Sequence, residues 1–301
     1  MKPATLWWNA LLASALALGA VLGAGCAARM HPALDVISLQ EPVDKGLERV
    51  NPYFASLYAV DYLRADGDPD RIRPYLDWYM ANLNYPDSHG LTGTIDDMDV
   101  RPGGRMRKTG SYDSADGYAA VFLVLLDEYE RSSGDADFLH DHRDRVQDIA
   151  WLLLVLQDAD GLLRAHPGTN ARYLMDNCEA YGGLVAYAAM ARRLGWSNGP
   201  RYREAAESVR RAVISRLGAT GDAPFHWADV AGHLHPSDWG RYYPDALAQV
   251  FPILYGVVDV DSPTAERLWR EFDRRHGPAV AVERDAAQRV IIDLTRELME
   301  P

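Results

Sequence analysis

Apolar residues recur at helical spacing along the chain from about residue 51 onward, and no segment sustains the alternating pattern of a strand. This pattern predicts nine helices, at about 51–66, 69–84, 114–133, 135–157, 177–194, 199–217, 245–257, 263–275 and 279–299. Turn-forming sequences such as Asp66-Gly67-Asp68-Pro69 separate them. Because several helices are joined in pairs by short links, we predict an all-α fold built from helical hairpins.

Two of the predicted hairpins begin with similar sequences, YDSADGYAAVFL at 112–123 and MDNCEAYGGLVA at 175–186. Their alignment pairs three polar positions at one offset of 63 residues: Asp113 with Asp176, Asp116 with Glu179, and Tyr118 with Tyr181. Asn51 precedes Asp113 by 62 residues, and Asp245 follows Asp176 by 69. Intervals of this size, each holding two helices, predict a toroid or solenoid of stacked hairpins.

Three long links, 85–113, 158–176 and 218–244, are rich in Gly, Asp, His and aromatic residues. Long loops in a compact domain are commonly functional. If the first helices of the hairpins run parallel, their N-termini and these loops lie on one face of the ring. We predict the functional site on that face.

Six acidic residues near the predicted helix starts are the catalytic candidates: Asp97, Asp113, Asp116, Asp176, Glu179 and Asp245. Taken singly, Asp113-x-x-Asp116 and Asp176-x-x-Glu179 have the spacing of capping boxes. If these carboxyl groups are gathered in a ring, mutual repulsion and burial would keep some of them protonated and others ionised. Glycoside hydrolysis requires such a pair, an acid for the leaving oxygen and a base for water.

The loop TIDDMD at 94–99 contributes Asp96, Asp97 and Asp99 just before the second of these helices. Closely spaced Asp residues are also typical of a solvated acidic turn or a cation-binding loop. The position of the loop makes Asp97 a candidate for the same site.

Aromatic residues are concentrated in the same loops and helix starts, where they could stack on a sugar ring or simply pack at the rim. The candidates for substrate binding are Tyr112, Tyr118, Tyr181, Trp227, Trp239, Tyr242 and Tyr243. Trp78 and Trp151 fall on helical apolar stripes instead, so we predict that they belong to the core.

The 301-residue chain carries 43 acidic against 31 basic residues, a formal net charge of -12, which argues against a nucleic-acid partner. His226, His233 and His235 lack the spacing of a zinc site, and the sequence contains no nucleotide-binding fingerprint. We therefore expect no metal and no cofactor. Cys178 is predicted to be a small buried residue rather than a nucleophile.

Residues 1–25 have the features of a secretory signal, with Lys2 followed by an apolar run from Leu6 to Leu22. Leu22-Gly23-Ala24-Gly25-Cys26 resembles the lipobox of bacterial lipoproteins, which implies lipidation at Cys26. Ordinary cleavage near Ala28 and an uncleaved anchor are the alternatives. We thus predict a signal peptide at 1–25, a linker or short helix at 26–49 and a toroid domain at 50–301, exported and anchored to the membrane on its periplasmic or outer side.

Four motifs, TIDDMD, GSYDSADGYAA, YLMDNCEAYGGL and WGRYYPDALAQVFPILYGV, resemble those of the six-hairpin glycosidase-like superfamily. The resemblance covers most of residues 50–275. It implies an (α/α)6 toroid and a carbohydrate-active enzyme, commonly an inverting glycoside hydrolase with acidic residues in a funnel at one end of the inner helices. The four hairpins and one further helix fall short of the twelve helices of a complete ring, which leaves an open or reduced ring as an alternative.

The first functional hypothesis is therefore an exported glycoside hydrolase with a polysaccharide or oligosaccharide as partner. The second is a catalytically inactive glycan-binding or scaffold lipoprotein of an envelope polysaccharide system. The third is a polysaccharide lyase or sugar epimerase on the same scaffold, for which the candidate bases are Tyr118, Tyr181, His226 and Tyr243.

Overall fold

The computed structural model describes residue 34 and residues 49–101, 105–218, 223–283 and 286–300. The predicted signal and Cys26 lie outside the described residues. The described chain is mainly helical, as the sequence predicted, and its helices are α1 (Pro52–Arg64), α2 (Arg73–Ala81), α3 (Ala115–Ser133), α4 (Ala136–Asp141), α5 (Arg143–Leu156), α6 (Leu174–Arg193), α7 (Gly199–Ala212), α8 (Phe251–Leu254), α9 (Pro263–Glu283) and α10 (Ala286–Met299). A membrane-spanning helix would be longer or more apolar than any of the helices in the described part.

The described strands are short, and all except Arg49–Val50 lie in two of the long links. A three-stranded antiparallel sheet has the order β1 (Arg49–Val50), β2 (Met98–Val100) and β3 (Met106–Lys108). A hairpin of β4 (His226–Ala228) and β5 (Leu234–Pro236) sets Trp227 opposite His235. Strands of two or three residues are too short to produce the alternating pattern by which strands are recognised in a sequence.

Helices α3 and α6 form the centre of the fold because they are apolar nearly all round. From Ala115 to Asp127 every residue of α3 is buried, and most of α6 is buried as well. Gly183 of α6 allows their close approach, since a Cβ at this position would lie 2.6 Å from the Cα of Ala120 in α3. The two helices that carry the aligned acidic motifs are therefore packed directly against each other.

Within the described elements, five helices contact one another in a closed circuit: α1 with α3, α3 with α6, α6 with α8, α8 with α10, and α10 with α1. These are the inner helices of the ring. Helices α5 and α7 pack outside the α3–α6 pair, and α9 packs against α10. Among the described helices, the contacts thus close a circuit of five inner helices, where a complete toroid has six.

The outer helices show the one-sided burial expected of amphipathic helices. In α7, Tyr202, Ala206 and Val209 face the core while the intervening charged residues face solvent. Trp151 of α5 corrects one prediction, because 43% of its surface is exposed and Arg201 lies over its ring at 4.6 Å. The indole of Trp151 therefore packs on Arg201 instead of entering the core.

The predicted capping boxes do not form. Helix α3 has Ser114 as its N-cap and α6 has Tyr173, and neither described N-cap makes a side-chain hydrogen bond to its helix. Asn51, in contrast, caps α1 by accepting from the N–H of Phe54 at 3.1 Å.

Candidate functional site

The N-terminal ends of α1, α3 and α6 meet at one end of the ring, together with the three long links. The 85–113 link touches the 158–176 link where His89 stacks on His166, with ring centroids 5.5 Å apart. The 158–176 link pairs with the 218–244 link where Arg172 bridges to Ala228. The predicted arrangement of helix starts and loops on one face is therefore present.

One hydrogen-bonded chain joins the first helix, the second repeat and the TIDDMD loop. Asn51 donates to the hydroxyl of Tyr118 at 2.6 Å, and this hydroxyl donates to Oδ1 of Asp97 at 2.9 Å. Tyr118 is buried, whereas Asp97 is only half-buried. These two hydrogen bonds fix the Asp97 carboxylate at the inner surface of the site.

The other aspartates of TIDDMD have separate partners. Asp96 is buried and accepts from Asn84 at 3.1 Å, which gives it a structural role. Asp99 forms ion pairs with Arg49, Arg101 and Arg107 at 3.3, 3.5 and 3.7 Å. The loop therefore does not gather its three carboxylates around one point.

Asp116 and Glu179 form the buried floor of the site, with exposed fractions of 0% and 1%. Glu179 accepts a hydrogen bond of 2.5 Å from the hydroxyl of Tyr53. Gly117 makes room for Glu179, because a Cβ there would lie 3.1 Å from its Oε2 atom. Oδ1 of Asp116 accepts from the N–H of Gly117 at 2.9 Å, whereas its buried Oδ2 has no hydrogen-bond partner among the described residues.

Burial and mutual repulsion raise the pKa values of these carboxyl groups. The pKa of Asp116 is raised to about 8, chiefly by burial and further by the charge of Glu179. Burial and the charge of Asp176 raise the pKa of Glu179 well above its ordinary value, although the Tyr53 hydrogen bond opposes this. The floor of the site therefore favours protonated carboxyl groups at neutral pH.

Asp113 and Asp176 are the accessible members of the cluster. Asp113 is exposed, and Asp176 keeps part of its surface exposed while its Oδ2 atom is buried without a hydrogen-bond partner in the described part. Burial raises the pKa of Asp176 well above its ordinary value, and the charges of Asp116 and Asp113 raise it further. The pKa of Asp97 is raised in the same direction, mainly by burial. Asp113 and Asp176 can thus reach a bound molecule that Asp116 and Glu179 cannot reach.

Asp245 is held by the loop that precedes it. Its Oδ1 accepts from Arg241 Nη2 at 2.7 Å, and its Oδ2 accepts from Arg241 Nε at 3.0 Å and from the N–H of Asp238 at 2.9 Å. The residue is buried, and both of its oxygens are engaged in holding the loop that precedes α8. The structure therefore gives both carboxylate oxygens of Asp245 a structural role.

The predicted aromatic candidates divide by burial. Tyr118, Tyr181 and Trp239 are buried in the core cluster and cannot stack on a ligand. Tyr112 is half-buried and donates to Asp87 at 2.6 Å, close to His89. The other three lie in the last link and its end: Trp227 and Tyr242 are partly buried and Tyr243 is 57% exposed.

The histidine-rich link is organised around one aspartate. Asp229 is 2.8 Å from Nε2 of His235, and His235 stacks on Trp227 with centroids 4.7 Å apart. His226, on the same strand as Trp227, is half-buried. Across the described ranges, no three or more His, Cys, Asp or Glu residues are grouped to hold a metal ion. Cys178 is fully buried in α6, as predicted.

Several site residues escaped the sequence analysis. Tyr53 follows the predicted polar start Asn51-Pro52 but has no counterpart in the aligned motifs, so its contact with Glu179 was not foreseeable. Asp87, His89 and His166 lie in links whose path no periodic pattern describes. Gly183 did carry a signal, since a glycine inside a helical pattern indicates close approach of another backbone.

Comparisons with solved structures show the fold. The chain superposes on a rhamnosidase from Klebsiella oxytoca with rhamnose bound at a TM-score of 0.58 and 14% identity, covering 91% of this chain and 55% of that one. It superposes on the endoglucanase Cel10, a family 8 glycosyl hydrolase from Klebsiella pneumoniae, at 0.54 and 10% identity, covering 90% and 100%. A GH76 α-mannanase from Bacteroides thetaiotaomicron gives 0.52 at 10% identity, covering 89% and 76%.

The fold is therefore the α/α toroid seen in these glycoside hydrolases, as predicted. The chain spans about half of the rhamnosidase's length. No family model matches the sequence, and no curated protein matches it. At these identities the comparison establishes the architecture and leaves the activity to the chemistry of the site.

Proposed function

We propose that this protein is an exported glycoside hydrolase that acts on a polysaccharide or oligosaccharide at the inner-helix N-termini. The observation that carries the proposal is a partly exposed residue, Asp176, whose pKa is raised by burial and by its acidic neighbours, near the exposed Asp113. Hydrolysis of a glycosidic bond needs one carboxyl that holds a proton and one carboxylate that water can reach. The shared toroid fold with glycoside hydrolases supports the same reaction class.

We assign the two roles by access. Asp176 protonates the leaving oxygen, because burial and the charges of Asp116 and Asp113 raise its pKa well above the ordinary value and part of the residue is exposed. Asp113 activates the attacking water, because its carboxylate is exposed to solvent. Asp97, fixed by Tyr118, lines the same site and contacts the sugar.

Asp116 and Glu179 do not touch the substrate in this proposal, since both are fully buried. They act as positioning residues: burial and the charges of Asp116 and Asp113 raise the pKa of Asp176, and burial and the charge of Asp176 raise the pKa of Glu179. The carboxyl groups around Asp176 thus favour its protonated form.

Lyase or epimerase chemistry is less well supported by the candidate bases. The pKa of Tyr118 is raised by burial and by Asp97, to which it already donates its proton in a hydrogen bond. Burial raises the pKa of Tyr181 to about 12. A base must lose its proton readily near neutral pH, and neither phenol does so.

New reducing ends would be counted after incubation of the full chain with a panel of neutral and anionic polysaccharides. We expect release from at least one member and no product that absorbs in the ultraviolet as an unsaturated sugar does. Asp176→Asn is the inactive variant. The control is Asp261→Asn, which changes an exposed aspartate in the turn before α9. Binding without cleavage would favour a glycan-binding lipoprotein instead.

A further inference from the structure

A pocket of about 160 Å³ lies at the N-terminal end of α6, between the start of this helix and the 218–244 link. The residues that give it an apolar wall are Leu174, Met175, Trp227, Pro244 and Ala248. One water needs about 10–15 Å³ of such volume, so the pocket is large enough for a substituent of several heavy atoms. Met175 directly precedes Asp176 in α6, which places the pocket next to the proposed acid.

Tyr173 connects the pocket to the proposed reactive carboxyl groups. It lines the pocket and lies within reach of the charges of Asp176 and Asp113. A glycan whose scissile bond lies at these aspartates thus extends toward the pocket. The apolar lining is suited to a methyl or acyl group and poorly suited to a ring of hydroxyls.

The polar groups at the pocket are few and partly committed. Both oxygens of Asp245 are taken up by Arg241 and the backbone of Asp238, so this carboxylate is not free to bind sugar hydroxyls. Trp227 brings an indole N–H, Nε1, that is buried and has no acceptor among the described residues. A buried donor without an acceptor is costly, and a carbonyl oxygen is the acceptor that would satisfy it.

The wall that Trp227 forms is held in place by two neighbouring rings. His235 stacks on the indole at 4.7 Å and is itself held by Asp229 at 2.8 Å. Tyr173 packs against the same indole with centroids 6.2 Å apart. The pocket is therefore built before a ligand arrives, which lowers the entropic cost of binding.

We propose that this pocket binds an acyl substituent of the glycan, with the methyl group against Leu174, Met175 and Ala248 and the carbonyl oxygen accepting from Trp227. The substrate class is then an acylated glycan, one that carries O-acetyl or N-acetyl groups. This inference rests on the proposed function for the placement of the sugar chain at Asp113 and Asp176.

Binding would be measured on the full chain carrying Asp176→Asn, so that no probe is consumed. The probes are matched pairs: chitotetraose with cellotetraose, which differ in the acetamido group, and acetylated xylan and glucomannan oligosaccharides with the same samples after alkaline deacetylation. Isothermal titration gives the affinities. We expect at least one acetylated member to bind about tenfold tighter than its partner, as burial of an acetyl group predicts.

Two further substitutions test the pocket itself. Ala248→Leu fills the pocket. It should bring the affinities of the acetylated and unacetylated members of a pair within about threefold of each other, without changing the affinity of the unacetylated one. Trp227→Phe keeps an aromatic wall, removes the N–H and should weaken only the acetylated member, by about threefold to tenfold. Thermal melts confirm that each variant is folded.

Equal affinity within every pair, a preference that survives Ala248→Leu, or no binding of any probe would overturn the acyl pocket. The proposed function is judged separately by the release of reducing ends from acetylated and deacetylated polysaccharides by the wild type. Cleavage without an acyl preference leaves the hydrolase standing and removes the pocket. An acyl preference without any cleavage would support the pocket and overturn the hydrolase.

Discussion

The hydroxyl of Tyr53, on the first inner helix, donates to Glu179, on the third, across 2.5 Å. This contact spans 126 residues of sequence and crosses the floor of the site. It holds the buried glutamate below Asp176 and joins α1 to α6 at the end of the ring where the proposed chemistry occurs. The ring and the site are therefore stabilised by the same side chains.

Tyr53→Phe removes this donor and leaves a buried carboxyl with one partner fewer. We expect a loss of about 1–2 kcal/mol in the free energy of unfolding, because an unsatisfied buried polar group costs that much. Because the bond lowers the pKa of Glu179, its removal should also raise that pKa further. Urea denaturation near neutral pH measures the loss of stability, and a change below about 0.5 kcal/mol would contradict the role given to this bond.

Gly183→Ala tests the close approach of α3 and α6. A methyl group at this position would lie 2.6 Å from the Cα of Ala120, so the helices must separate. Helix propensity alone would make alanine more stable than glycine by about 1 kcal/mol. We nevertheless expect a loss of about 1–3 kcal/mol in a chemical melt, because overpacking costs that much. A more stable variant would show that the contact is not tight.

The raised pKa of Asp116 predicts that the protein becomes less stable as pH rises. In the unfolded chain this carboxyl loses its proton near pH 4, whereas in the fold it keeps the proton to about pH 8. Between these values the folded state binds more protons, so stability falls by up to about 1.4 kcal/mol per pH unit for one such group. Below pH 4 this group contributes no pH dependence.

Asp116→Asn removes that titration. Urea melts at pH 5, 6, 7 and 8 should give a shallower decline for the variant than for the wild type, while Asp261→Asn should follow the wild type. Parallel curves for all three proteins would mean that Asp116 ionises normally in the fold.

Lipid anchoring at Cys26 is a prediction from the sequence that the chain's two cysteines make easy to check. In a bacterial host supplied with an alkyne-tagged palmitate, the wild type should carry the label and fractionate with membranes. Cys26→Ala should lose both properties. Cys178→Ala is the matched control, because Cys178 is fully buried and should leave the labelling unchanged. Label retained by Cys26→Ala, or absent from the wild type, would refute lipidation at this residue.

The sequence allowed the helical elements to be predicted well because burial repeats at a fixed period. The predicted helix at 114–133 matches Ala115–Ser133, and the one at 199–217 matches Gly199–Ala212 with the π-helical turn Val213–Leu217 that follows. The aligned motifs also identified Asp113, Asp116, Asp176 and Glu179, which come together around the helix starts. Local pattern sufficed here because each motif is attached to a long, regular helix.

The local roles of the acidic residues could not be predicted in the same way. The alignment equates Ala115 with Cys178, but α6 starts at Leu174, one turn earlier than α3 does. This extra turn places Glu179 inside the helix and removes the capping geometry. Asp245 matched by spacing alone, and its pairing with Arg241 depends on a loop that has no periodic signal. The path of the links, and thus the partners of their side chains, is decided by tertiary contacts.

The central claim is that Asp176 acts as the acid while Asp113 activates water. It is tested most directly by kcat on two substrates of the same sugar, an unactivated oligosaccharide and a 2,4-dinitrophenyl glycoside. A dinitrophenolate leaves without a proton, so it does not need the acid. Asp176→Asn should therefore lower kcat by about 10²–10⁴-fold on the oligosaccharide and by much less on the activated glycoside.

Asp113→Asn should lose activity on both substrates to a similar degree, because water must still be activated, and Asp261→Asn should retain it on both. This split between the two substrates is the result that the assignment predicts. Equal losses of Asp176→Asn on the two substrates, or undiminished cleavage of the oligosaccharide by this variant, would contradict it.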